Sequence, residues 1–558
     1  MRATLRLAIL LPGLAVSLVS LMVISEPATS QEKIWTRQFG TTNEDGQGSS
    51  ADPFGNIYVH GYTQGALPGE TFGGAEDAFL RKYDDNGNEV CTDQFEDGDW
   101  ERSHHISFDS AGNVYVPGHS SGELSGQSHI ADNDAYLRKY DSNCNEIWTR
   151  LFGTTGNDSA SAASVHPLDD NVIFIAGTVT GALPGQTAAG GRDIFVRSYD
   201  ATGNAVCTNQ LGSPGGGFED SAYQVTADTS GEFYVSGVTF GALPGQATSG
   251  DADAFIAKFD ASCNVLWIRQ FGTTWFDDAR SLTATSGVIY VAGSADGVLP
   301  GETSAGGTDA YVRKYDSSGN VVWTRQFGTA QADRGFSVDT DSSGNVYVSG
   351  DTGGDIVRNQ PVSQNGDVFF RRYNASGVET CTVQFGDMVN KELTGYVSLD
   401  PSDEIFLSGR TDGALPGQTY LGAFDIFVTK LSSPDPDDFE ADGLVDDCDP
   451  DDDNDGCTDV AEQQPKADAA TGGYRNPKNP YDFFDTNGDR YIDLTNDILG
   501  VILRYSANPT LPYDPAYDRG PLKPITNPNP WNRTAPDGWI DLANDILSAI
   551  LQYQHDCR

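Results

Sequence analysis

Two short strings in which apolar and polar residues alternate recur along most of this chain. One reads DAFLRKYD from Asp77 to Asp84 and returns, varied, from Asp134, Asp193, Asp253, Asp309, Asp367 and Asp425, at intervals of 56 to 60 residues. The other precedes it, as NIYVHG at Asn56, NVYVPG at Asn113, VIFIAG at Val172, EFYVSG at Glu232, VIYVAG at Val288, NVYVSG at Asn345 and EIFLSG at Glu404. A period of two, richness in Val, Ile, Tyr and Phe, and flanking Gly, Asn and Asp predict β-strands. After each of the first six anchors a turn such as DSSGN leads into a strand such as VVWTRQFG, and a stretch such as GFSVDTD at Gly335 supplies one more strand before the next unit. Four antiparallel strands in each of seven units suit the blades of a β-propeller better than a helical solenoid. The seventh anchor runs on into SSPDPDD without a fourth strand, whereas Ile34 to Gly40 reads IWTRQFG, nearly the VWTRQFG that follows the fifth anchor. The expected fold is therefore mainly β: a seven-bladed propeller over 31–434, closed by its N-terminal strand, which removes the open edges of an unclosed array.

On these strings the units resemble SBBP-type bacterial β-propeller repeats, over about three quarters of the chain. The resemblance implies the fold and no particular activity, since one fold hosts many.

Charge narrows the partners. With 34 Lys and Arg against 80 Asp and Glu the net charge is −46, which excludes nucleic acid and anionic membrane surfaces and favours cations. Arg2 and Arg6, an apolar stretch from Leu7 to Ile24, and Ala28 and Ser30 before Gln31 read as a secretory signal over 1–30. The apolar stretch is nearly long enough to span a bilayer, so an uncleaved anchor is the alternative. The expected location is extracellular, at the cell surface or in the periplasm, with no membrane contact once the signal is cleaved. Export makes the eight Cys readable as disulfides. Cys91 and Cys207 stand where other units carry Trp35, Trp148, Trp267 and Trp323, and the following unit has a Cys in its turn, at Cys144 and Cys263. That repeated offset predicts Cys91–Cys144 and Cys207–Cys263. Cys448–Cys457 would close an acidic loop, leaving Cys381 and Cys557.

Chemistry-bearing residues within the repeats are few. The seven anchor aspartates form either a ring of carboxylates or a set of turn caps, and repetition in every unit favours caps. The repeated Trp reads as packing. Of His60, His104, His105, His119, His129, His166 and His555, four fall between Ser103 and Ile130, at spacings that match no metal-ligand pattern. Loops reading GALPG or similar (Gly65–Gly69, Gly181–Gly185, Gly241–Gly245, Gly297–Gly301, Gly413–Gly417) and the acidic crossovers after each QFGTT-like string emerge on one face. A protein or glycan ligand is expected on that face. Leu67, Leu183, Leu243, Leu299 and Leu415 either present an exposed apolar surface there or plug the spaces between blades.

The composition changes after Pro434: Asp435 to Glu462 holds fourteen acidic residues and no Lys or Arg. Asp451, Asp453, Asp455, Gly456, Asp459 and Glu462, with the Cys457 carbonyl, follow the DxDxDGx5E calcium loop. Asp438, Glu440, Asp442, Gly443, Asp446 and Asp449 repeat that spacing. These overlapping loops over 435–465 resemble thrombospondin type 3 repeats, which implies bound Ca2+. Beyond a linker at 466–482, IDLTNDILGVILRY from Ile492 and IDLANDILSAILQY from Ile540 predict a helical hairpin within 483–558. With Asp485, Asn487, Asp489, Tyr491, Asp493, Asn496 and Asp497 as ligands, the first copy resembles one half of a dockerin EF-hand pair, which implies a cohesin-like partner. Arg490 replaces the usual loop glycine, and Arg533 and Ala535 stand where the second loop needs oxygens, so a hairpin without a partner is equally consistent. The sequence thus supports a secreted calcium-binding propeller acting in binding or as a scaffold. The alternative is a secreted polysaccharide-degrading enzyme, or a component of an enzyme complex, that carries a dockerin-like module.

Overall fold

A computed structural model describes residues 33–95, 100–285, 287–356, 366–385 and 391–431. The signal segment, both acidic calcium loops, the linker, the dockerin-like pair, Cys448, Cys457 and every expected calcium ligand from Asp438 to Asp497 lie outside the described residues.

The described chain is mainly β, in six sheets, with no helix among the described residues. The fifth repeat unit shows the pattern: Asp277–Thr285, Val288–Ala295, Asp309–Asp316 and Val321–Phe327 pair in sequence order, all antiparallel. The largest sheet has eight strands because the third and fourth units are joined by parallel pairings of Gly190 with Gly215 and Arg192 with Glu219. Each unit's strands contact those of the next, and the first unit's opening strand, Asp45–Ala51, contacts the seventh unit's Glu392–Leu399.

The N-terminal strand Lys33–Phe39 pairs antiparallel with Asp425–Leu431, as the orphan IWTRQFG predicted. Side chains reproduce the bonding of an intact unit. Gln326 Nε2 donates to Asp309 Oδ2 (2.9 Å) and Gly297 O (2.7 Å), and its Oε1 accepts from Leu299 N (2.9 Å). Gln38 does the same for Asp425, Gly413 and Leu415, at 2.9 Å in each case. The strand also reaches the first unit: Trp35 Nε1 donates to Asp85 O (2.9 Å), Arg37 Nε to Gly87 O (2.6 Å), and the Arg81 guanidinium lies 4.3 Å from the Phe39 ring centre. Trp148, Arg150 and Phe152 make the matching contacts with Ala201, Gly203 and Arg197. The repeated Trp is thus an inter-unit strap.

Disulfides stand where the strap is missing. Cys91–Cys144 and Cys207–Cys263 are bonded, as the repeated offset predicted, with Cα atoms 6.0 and 5.9 Å apart. Cys144 and Cys263 hold φ of 61° and 62° at the turn position that Gly87 and Gly203 occupy in other units, a conformation that disfavours side chains. Cys381, at the position of Cys91 in the sixth unit, is also disulfide-bonded; its partner lies outside the described residues. Bonds of this kind suit an oxidising, exported setting. No helix among the described residues is long and apolar enough to cross a membrane.

The structure decides one open alternative and corrects one expectation. Leu67, Leu183, Leu243 and Leu299 are at most 1% exposed: the loop turns inward because the Gln carboxamide captures the Leu N–H, so of the two readings these residues take the one that plugs the interior. One aspartate in most crossovers, including Asp45, Asp158, Asp277 and Asp333, is also buried. Each caps the N–H of a threonine four residues earlier, which withdraws it from the loop face.

Candidate functional site

The first strand of most units carries an irregularity at one position. Register shifts skip Ser161, Tyr223, Arg280 and Phe336, and a wider one lies between Leu393 and Tyr396. Opposite the third-unit bulge stands Gly177, the glycine ending that unit's second string, where a Cβ would collide with the Ser159 carbonyl; Gly237, Gly293 and Gly350 face Ser221, Asp278 and Arg334 in the same way. The glycine admits the bulge, and a bulge re-aims its side chain. In the second unit the first strand is broken between Ser103 and Ser107, releasing His104 and His105.

These side chains converge on one cavity of about 440 Å³, lined by His104, Ser161, Tyr223, Arg280, Phe336 and Tyr396 among others. Gly48 holds the equivalent place in the first unit, where a Cβ would stand 3.2 Å from the Tyr396 ring. A second cavity of about 210 Å³, lined by hydroxyls such as Ser107, Ser281 and Ser337, shares His105 and Tyr396 with the first. Those two rings, 5.5 Å apart and edge-on, form the waist between them. The larger cavity reaches the loop face through Asn133, Asn157 and Arg192.

Burial sets the electrostatics. It pushes His60 down to about 3, His105 and His119 to about 4, and His104 well below the ordinary imidazole range, so these rings are neutral at neutral pH. His104 Nε2 and His119 Nδ1 are 3.3 Å apart, and His119 Nδ1 is 3.1 Å from Ser159 Oγ. Permanent positive charge comes from two arginines. Arg280 Nε lies 2.8 Å from Asp278 Oδ2, with its guanidinium 4.9 Å from the Phe336 ring centre and 5.9 Å from that of Tyr223. The Arg192 side chain has neither an ion pair nor a hydrogen bond among the described residues, and its buried Nε lacks a partner.

Of the four clustered histidines the structure brings His104, His105 and His119 to the cavity, with His60 buried behind His105 at 6.4 Å. His129 lies apart, beside the Asp132 carbonyl, and His166 bonds the Leu168 N–H. No three His, Cys, Asp or Glu side chains among the described residues are grouped to hold a metal ion. None of the anchor aspartates lines the cavity; Asp193, Asp253, Asp309 and Asp425 each accept from a backbone N–H four residues earlier and from the repeated Gln. Tyr223, Arg280, Phe336, Tyr396 and Arg192 were not singled out from the sequence. The signal was there: three residues beyond the acid that opens each first strand, the first six units read Gly48, His104, Ser161, Tyr223, Arg280 and Phe336. It is one varying position inside a conserved repeat pattern.

Comparison with known proteins points the same way for the fold. The SBBP β-propeller repeat matches residues 34–68 and 322–356. Regulatory protein FlaEY of Caulobacter vibrioides is 26% identical over 237 residues, 38% of this chain, and the match spans 24% of that protein's length. Among solved structures, the WD40 β-propeller domain of Doa1 aligns over 72% of this chain and 97% of its own at 11% identity and a TM-score of 0.40. Polysaccharide lyase Uly1 aligns over 71% and 92% at 8% identity and 0.41. By the family-model matches over 34–68 and 322–356 the chain is similar to SBBP β-propeller repeats, a likeness of fold.

Proposed function

We propose that this chain is an exported, seven-bladed β-propeller closed by its N-terminal strand, which binds a ligand in the axial cavity and carries a calcium-ordered module beyond residue 434. The observation that carries the binding reading is the convergence of unlike side chains, from one repeated bulge position, on a single cavity open to the loop face. Support for closure is the complete set of unit-type bonds that Gln38, Trp35, Arg37 and Phe39 make across the seam. A cavity of about 440 Å³ suits a small polar ligand or the end of a glycan. A glycan array followed by a reducing-end assay on each hit tests this: binding without turnover is the expected result, turnover would make the cavity an active site, and the absence of any hit would redirect the search to protein partners.

The calcium part rests on the spacing of oxygens from Asp438 to Glu462 and from Asp485 to Asp497. Six or seven oxygens around a glycine turn suit calcium better than magnesium, which prefers a tighter octahedron and retains its water. Calorimetry of the whole chain should give a heat of calcium binding that falls when Asp451 and Asp455 are replaced by Ala, with a smaller loss for Asp485→Ala. Identical proteolysis with calcium and with chelator would reduce the acidic run to a solvated linker.

A further inference from the structure

We infer that the axial cavity selects a carboxylate-bearing sugar, a uronic acid residue free or at the end of a glycan, with its carboxylate seated on Arg192. The inference rests on the binding reading above and adds the charge and class of the ligand. Its starting point is an imbalance: in a chain of net charge −46, the Arg192 side chain lines the cavity with no ion pair and no hydrogen-bond partner among the described residues. Arg192 is half-buried, with its Nε out of solvent and unpaired, a costly state for a charged donor, and its planar fork matches a carboxylate in a bidentate pair. Arg280 differs, being already matched by Asp278 at 2.8 Å and held between Phe336 and Tyr223. The buried imidazoles are neutral for want of solvation, and the lining carboxylate Asp158 is taken up by the N–H groups of Thr154 and Thr180, so Arg192 is the cation left without a partner in the lining, and a monoanion answers it.

The rest of the lining fits a sugar ring. Asn133, Asn157, Ser159 and Ser161 offer amides and hydroxyls around Arg192, while Tyr223 and Phe336 offer aromatic faces. Such a mixture pairs hydroxyl edges with polar groups and C–H faces with rings. A phosphate monoester, carrying nearly two charges at neutral pH, would leave surplus negative charge.

Calorimetric titration of the full chain at neutral pH with methyl β-D-glucuronide and methyl β-D-glucoside tests the assignment. The glucuronide should bind at least about tenfold more tightly. Arg192→Gln should erase that preference while leaving the melting temperature unchanged, and Arg192→Lys should keep part of it, which also supplies a charge-preserving variant should Arg192→Gln fail to fold. Equal affinity for the two sugars, or a preference that survives Arg192→Gln, overturns the carboxylate assignment and leaves the cavity as a neutral-sugar site. Failure of both sugars to bind the folded wild-type chain overturns the cavity's role in sugar binding as well.

Discussion

The outer strands of this protein say the same thing in unit after unit, and one bulge position in the first strands says something different in each. In the outer strands, Gln38, Gln210, Gln270 and Gln326 all hold an anchor aspartate, and Trp35, Trp148, Trp267 and Trp323 all reach a carbonyl in the neighbouring unit's turn. At the bulge, by contrast, Ser161, Tyr223, Arg280 and Phe336 succeed one another. A residue that every unit must have is doing what every unit needs, which is capping and packing. A residue that differs at an equivalent place is free to serve the whole assembly. Outer-strand substitutions should therefore cost stability and bulge substitutions should cost binding.

The largest effect expected in the outer strands follows removal of residues 33–39. The strand supplies the outer edge of the last sheet and the straps across the seam, so the truncated chain should aggregate or melt at least about 10 °C lower, as thermal unfolding would show. An unchanged monomeric melting curve would mean that the seam is held elsewhere. Next come the staples. Cys91→Ser with Cys144→Ser, or Cys207→Ser with Cys263→Ser, opens a sequence separation of 53 or 56 residues and should cost about 2–4 kcal/mol in denaturant titration. Trp148→Phe keeps the ring but loses the bond to Ala201 O, worth about 1 kcal/mol. A loss as large as a staple's would show that strap and staple are equivalent.

Around the cavity, acid should expose the buried imidazoles. His60 is 1% exposed and neither ring nitrogen has a partner among the described residues. An unfolded histidine titrates near 6.5, whereas His60 in the fold is pushed down to about 3. Between those values the unfolded chain binds the extra proton, so His60 lowers stability as pH falls through that window, by up to about 1.4 kcal/mol per pH unit. Asp45, Asp277, Asp339 and Asp351, raised by burial to about 6, act oppositely: their burial costs stability at neutral pH and that cost is relieved as pH falls from about 6. The net curve mixes both, but His60→Leu isolates one: relative to wild type its advantage should grow from pH 7 to pH 4. A constant difference would place a hydrogen-bonded or already charged histidine at that site.

Much of the repeat was legible in the sequence because strand alternation, the anchor string and the offset of Cys91 to Cys144 are local or periodic. The IWTRQFG strand was legible as the missing fourth member of a set. What escaped was set by three-dimensional approach. For Leu67 and its equivalents the sequence leaves exposure and plugging open, and only the Gln94 carboxamide, from a strand downstream, shows why they turn in. The bulge that aims Tyr223 and Arg280 needs the facing glycines Gly237 and Gly293, which as sequence read only as strand ends. Arg192 carries no signal at all until its lack of a partner is seen in space.

The most decisive test of function lies at the bulge position. Tyr223→Ala with Phe336→Leu, which keeps an apolar side chain at the buried Phe336, should change stability by about 1–2 kcal/mol while removing both aromatic faces from the cavity. The direct measurement is calorimetric titration of this double variant and of wild type with the strongest glycan-array ligand. The axial site predicts that the affinity falls at least about tenfold while the fold is retained. Undiminished affinity would place the ligand elsewhere on the protein and contradict the claim that binding lies where the repeat varies.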